Sequence, residues 1–132
     1  VKGEPIQVLE KASLELQAKE IGNKISRLMN TDHIAPEDIV IVIIGRFQVA
    51  QDLLTNTKNK HIWAFKEFDP DSKVLVETAK RFKGLESKII FLWIIDEEVI
   101  SEKLLYVSIS RARLRLWVIG TTSIIKKINL TL

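Results

Sequence analysis

Two segments of this sequence carry residues whose types and spacing can do chemistry. The first is Glu77–Glu86, which reads E-T-A-K-R-F-K-G-L-E. Lys80, Arg81 and Lys83 are suited to phosphate oxygens. Gly84 lets the backbone turn tightly or come close to a ligand. Glu86 follows two residues later, where a carboxylate can accept hydrogen bonds from a ribose hydroxyl. The plainer alternative is a basic loop in which Glu86 pairs with Lys83 or Lys88. The second segment is Leu104–Arg113, L-L-Y-V-S-I-S-R-A-R. Leu105, Ile109 and Ala112 recur at helical spacing and give a core face. Tyr106, Ser110 and Arg113 fall on another face of the same expected helix. Arg111 stands at its end. A planar, permanently charged fork is the group that stabilises charge on a transferring phosphoryl group. The plainer alternative is an arginine that neutralises a helix C-terminus.

The elements that must position these segments alternate between two periods. A short apolar run at Pro5–Leu9 is compatible with a strand. Ser13 is placed to cap a helix whose apolar residues, Leu14, Ala18, Ile21, Ile25 and Leu28, recur at spacings of three and four. That helix is expected to end near Asn30. Ile39–Ile44 is six consecutive β-branched residues, the pattern of a strand buried on both faces of a parallel sheet. Gly45 ends it, and Val49, Leu53 and Leu54 predict a short helix. His61–Phe68 is ambiguous. Lys73–Glu77 and Lys88–Ile95 read as strands, Arg81–Leu85 as a turn or one helical turn, and Ser101–Ser110 as a helix. Arg115–Ile119 is expected to be a last strand, stopped by Gly120, with a terminal helix capped by Thr121 or Thr122. Alternating strands and helices with short loops predict an open, mostly parallel α/β sheet with helices on both faces. Ligands in such sheets bind at the carboxyl ends of the strands. The loop after Glu77 and the loop before Arg115 are both expected there.

Composition narrows the class. The chain of 132 residues is 46% hydrophobic and has no cysteine. It reads as one globular domain, residues 1–132, without disulfides or thiolate metal sites. His33 and His61 lie outside any metal-ligand spacing, so no metal site is expected. The net charge of +3 is a weak pointer to an anionic partner. No apolar run is long enough to cross a bilayer and no signal peptide is evident, so the sequence reads as a soluble, cytoplasmic protein.

The two chemical segments resemble known motifs. Thr78–Glu86, T-A-K-R-F-K-G-L-E, resembles motif V of UvrD/Rep-type superfamily 1 DNA helicases, T-x-H-x-x-K-G-L-E. Leu104–Ala112, L-L-Y-V-S-I-S-R-A, resembles motif VI, L-x-Y-V-x-x-T-R-A. The resemblance covers most of the chain and is strongest from Lys73 onward. It implies the second, C-terminal RecA-like domain of such a helicase. Arg111 would then be the arginine finger on the γ-phosphate. Glu86 would contact the nucleotide ribose, on a loop shaped by Gly84. Thr78 would lie near the DNA strand together with Lys80, Arg81 and Lys83. Lys80 stands where the family has histidine, which favours phosphate contact over base stacking. Ser110 stands for threonine and keeps the hydroxyl. Arg46 matches a position where relatives often carry an arginine, which implies nucleotide contact. The chain has no G-x-x-x-x-G-K-[ST] phosphate loop. The N-Y-R signature of motif IV is expected upstream of Val1. Asp96–Glu97–Glu98 looks superficially like a Walker B acid pair but falls between motifs V and VI. The chain therefore reads as one domain of a larger protein. ATP and Mg2+ would be held mainly by an N-terminal RecA-like ATPase domain, with single-stranded or partly duplex DNA as the other partner. The alternative is a non-catalytic nucleic-acid-binding module that keeps the fold.

Overall fold

The structure is a computed structural model. It describes residues 6–58, 62–66, 73–82, 86–96 and 112–131, with the side chains of 112–114 and 128–131 excepted. The helix expected over Ser101–Ser110, together with Lys83, Gly84 and Arg111, lies outside the described residues.

The strands are β1 (Gln7–Glu10), β2 (Ile39–Ile44), β3 (Trp63–Phe65), β4 (Val74–Thr78), β5 (Ser87–Ile94) and β6 (Ala112–Gly120). They form one six-stranded sheet in the order β1-β6-β5-β2-β4-β3. Every pairing is parallel, as the unbroken β-branched run at Ile39–Ile44 requires: a strand covered on both faces has no polar side to alternate. Side chains divide by the two-residue period. Ile39, Ile41 and Ile43 join Ile89, Phe91 and Trp93 on one face. Val40, Val42 and Ile44 join Ile90, Leu92 and Ile94 on the other.

Helices cover both faces. Helix α1 (Leu14–Asn30) and helix α2 (Phe47–Thr55) pack on the first face through Ala18, Ile21, Ile25, Leu28, Ala50 and Leu54. Ser13 caps α1, its Oγ accepting from the Leu16 N–H at 3.2 Å. The other face carries Ala79 and Phe82 together with Ile124 and Ile125 of helix α3 (Thr122–Thr131). Thr121 caps α3, its Oγ1 accepting from the Ile124 N–H at 3.3 Å. Inside the α1 face, Gln17 is fully buried. It accepts from the Trp93 indole N–H at 2.8 Å and donates to the Lys11 carbonyl at 2.8 Å. One glutamine thus ties the helix to the carboxyl end of β5 and to the residue that follows β1.

Two expectations are corrected. Ala112 and Arg113 belong to β6 and cannot lie on the helix that spacing extended through them. Ala112 also pairs with Ser87, the first residue of β5. Ala112, at the start of β6, therefore lies at the amino edge of the sheet and not at the carboxyl edge with the end of β4, because every strand runs the same way.

Candidate nucleotide and nucleic-acid interface

The carboxyl edge is organised by the winding of the chain. From β2 the chain proceeds to β3, and from β5 to β6, on opposite sides of that adjacent pair. Neighbouring strands that send the chain in opposite directions leave a crevice beyond their carboxyl ends. Gly45 and Arg46 enter it from β2, and Asp96 enters it from β5. Gly45 has φ 120°, open to glycine but rarely to L side chains. A Cβ there would sit 2.6 Å from Asp96 Oδ2 and 2.8 Å from the Asp96 nitrogen. That space lets Asp96 close on Arg46, the residue that precedes the first turn of α2. Asp96 Oδ2 accepts from the Arg46 backbone N–H at 2.7 Å, and both carboxylate oxygens lie 3.1 Å from Arg46 Nε. Arg46 Nη2 is 3.0 Å from Oδ1. The Asp96 carboxyl is held below its ordinary pKa, chiefly by the side-chain hydrogen bond from Arg46. Burial opposes this, while the Arg46 backbone N–H and charge reinforce it.

Thr78, at the end of β4, faces the same crevice. Thr78, Ala79 and Lys80 line a cleft of about 400 Å³ together with Gly45, Arg46 and Asp96. The turn after β4 is built tightly. The Ala79 N–H donates to the Ile43 carbonyl at 2.9 Å, and the Phe82 N–H to the Thr78 carbonyl at 2.9 Å. Thr78 Oγ1 accepts from the Arg81 N–H at 3.2 Å. Phe82 anchors the turn among Val42, Ile90 and Leu92. Beneath it, the buried Glu77 accepts from the Thr78 N–H at 2.7 Å and lies 3.6 Å from Arg81 Nε. The basic residues of this segment are thus not equivalent. Arg81 is turned toward Glu77, while Lys80 is exposed at the cleft. Neither Glu77 nor Asp96 was among the residues expected at the site. Glu77 left a local signal, an acid four positions before Arg81. Asp96 left none, because its partner is 50 positions away.

Glu86 is exposed at the opposite, amino edge, one residue before β5. Thr78 and Glu86, the two ends of the motif, therefore stand at opposite edges of the sheet. The next residues are held firmly. Ser87 Oγ donates to the Asp38 carbonyl at 2.9 Å, and Lys88 Nζ pairs with Asp38 at 3.5 Å. Lys88 therefore has a carboxylate partner other than Glu86. Between Ser87 and Ile89 on β5, and Ala112 and Arg115 on β6, the register shifts, so β6 carries one extra residue there. Such bulges re-aim a strand and are common beside functional sites. The described residues of the predicted site thus fall into two groups: Arg46, Thr78 and Lys80 at the carboxyl edge, and Glu86 at the amino edge. Among the described residues, no three His, Asp or Glu side chains converge as a metal site, and no helix is long and apolar enough to cross a membrane.

No protein-family model matches the chain, and no curated protein matches it in sequence. Its fold is similar to a solved structure, the C-terminal domain of a possible DNA helicase from Lactobacillus plantarum WCFS1. The identity is 18%, the TM-score is 0.72, and the match covers 90% of this chain and 75% of that one. The likeness is one of fold. It accords with the open parallel sheet, helices on both faces, that the sequence predicts for a RecA-like domain.

Proposed function

We propose that this chain is the C-terminal RecA-like motor domain of an ATP-dependent DNA helicase of the UvrD/Rep type. The observation that carries the reading is the pairing of Ser87 with Ala112. Glu86 directly precedes Ser87, and Arg111 directly precedes Ala112 in the chain. That Ser87 and Ala112 are paired at the start of adjacent strands supports reading the glutamate and the arginine implied by the resemblance as serving one nucleotide. The fold likeness to a possible DNA helicase domain supports the same reading.

In this reading ATP and Mg2+ are held mainly by an N-terminal RecA-like ATPase domain, which supplies the phosphate loop that this chain lacks. Glu86 accepts hydrogen bonds from the ribose, on the loop that contains Gly84. Arg111 presents its fork to the γ-phosphate as the two domains close, stabilising charge that develops in the transition state. At the other edge Thr78 and Lys80 meet the phosphate backbone of single-stranded DNA, with Lys83 nearby in sequence. Arg81 contributes mainly by bracing the turn through Glu77. Arg46 presents a guanidinium to a phosphate at the carboxyl-edge cleft. The segment from Thr78 to Glu86 links the two edges, so nucleotide state and strand grip share one short piece of chain.

DNA-stimulated turnover of the full-length protein tests the reading. Arg111→Ala is expected to lower turnover at least ~100-fold, since arginine fingers contribute on the order of 10³–10⁵ in rate. Nucleotide affinity should change far less, because a finger acts on the transition state. Arg111→Lys should rescue little, since it keeps the charge and loses the fork. Arg113→Ala should be mild. Equal, small losses in all three variants would make this run a surface feature.

A further inference from the structure

The Arg46–Asp96 pair is more constrained than stability requires. Exposed ion pairs contribute little to folding, and the Arg46 side chain is 69% exposed. Yet this pair is built with a glycine at φ 120°, a missing Cβ whose place Asp96 fills, and a backbone N–H committed to the same carboxylate. The Asp96 side chain is only 15% exposed, so the carboxylate is the fixed partner and the arginine the presented one. With Nε and Nη2 both held, the plane of the guanidinium is set, and with it the direction of every other N–H. The group lines the same cleft as Thr78 and Lys80. A guanidinium of fixed plane is the side chain best matched to phosphate oxygens.

We propose that Asp96 is a positioning residue, which fixes the Arg46 guanidinium at the carboxyl-edge cleft so that it meets a phosphate group there. The proposal rests on the reading of Arg46 as a phosphate contact. The shared chemistry is a phosphate oxygen, and its source is either a nucleotide or the backbone of a nucleic-acid strand. Asp96 acts through Arg46 alone. Without the carboxylate, the arginine keeps its charge but loses the hydrogen bonds that set its plane, and misplacement by about 1 Å is enough to cost up to ~100-fold in a positioned site.

The test uses the full-length protein carrying Asp96→Ala, Asp96→Asn, Arg46→Ala or the Asp96→Ala/Arg46→Ala pair, each checked for an unchanged melting profile. One arm measures kcat and KM for ATP with saturating single-stranded DNA. The other measures affinity for a single-stranded oligonucleotide without nucleotide, at fixed salt. Asp96→Ala is expected to lose about tenfold in whichever arm Arg46→Ala impairs, which identifies the source of the phosphate. Asp96→Asn keeps an acceptor oxygen and should lose less. In the Arg46→Ala background, Asp96→Ala should cost nothing further, since coupled residues are not additive. If Asp96→Ala is destabilised, Asp96→Asn carries the comparison. Tighter ATP or oligonucleotide binding by Asp96→Ala would make Asp96 a rival anion and overturn the proposal, as would losses that add in the double variant. If Arg46→Ala is impaired and Asp96→Ala is not, positioning fails while the phosphate reading of Arg46 stands. If Arg46→Ala changes neither arm, that reading fails and the proposal with it.

Discussion

At the scale of residues, Asp96 has a consequence for acid stability. Its carboxyl titrates below the ordinary range because the Arg46 side chain donates to the ionised form. A depressed folded value means that the pair's contribution is fully present above the unfolded pKa of about 3.9. It is lost as pH falls from there through the lower folded value. The contribution is small, at most about 1 kcal/mol, because Arg46 is largely exposed. Urea unfolding of the wild type and of Asp96→Asn from pH 7 to pH 3 checks the sign. The stability gap between them should hold from neutrality to about pH 5 and close below about pH 4. A gap that widens on acidification would mean that the neutral acid, not the carboxylate, is what the site prefers.

At the scale of elements, the junction of β2 and α2 is where backbone geometry and site geometry coincide. Gly45→Ala places a methyl 2.8 Å from the Asp96 backbone nitrogen and forces an L side chain to φ 120°. A loss of about 1–3 kcal/mol is expected, read as a lower urea midpoint at constant slope. A change under about 0.5 kcal/mol would show that the junction relaxes. How far such junctions were legible in the sequence depended on whether the signal was local. β2 announced itself through six β-branched residues, and Ser13 through its place before an amphipathic run. β3 was obscure because three residues on a sheet edge carry too little pattern. The start of β6 reads as helix because Leu105, Ile109 and Ala112 keep a helical spacing across the boundary. The competing signal was present: Ala112, Leu114, Leu116 and Val118 alternate with Arg113, Arg115 and Trp117, which is the period of a strand. Of the site, Thr78, Lys80, Glu86 and Arg46 could be nominated from motif and loop position. Their separation onto two edges could not, since it depends on strand order. Nor could Gln17, a polar residue whose burial is explained only by Trp93 across the fold.

At the scale of the whole molecule, the division of the proposed work sets what the chain can do alone. It carries no phosphate loop, which in P-loop motors supplies the main cradle for the nucleotide phosphates. The purified 132-residue chain is therefore expected to show no steady-state ATP turnover. It should bind single-stranded DNA only weakly, and less as salt rises. Turnover by the isolated chain that Arg111→Ala abolishes would overturn this division. The sheet order also bears on how the molecule comes to exist. β1, met first in the chain, is hydrogen-bonded to β6, the last strand, through Gln7–Trp117 to Glu10–Gly120. The Lys11 N–H extends that seam to the Gly120 carbonyl at 3.2 Å. Lys24 of α1 likewise lies over the Trp117 ring, 5.4 Å from its centre. During synthesis β1 has no partner in the sheet until β6 leaves the ribosome. Its place in the sheet stays vacant while β2 to β5 can already assemble. Contacts so distant in sequence are slow to form, because the long loop must close before they repay it. β1 is thus among the last of the described strands to be secured, and whatever delays β6 keeps it waiting.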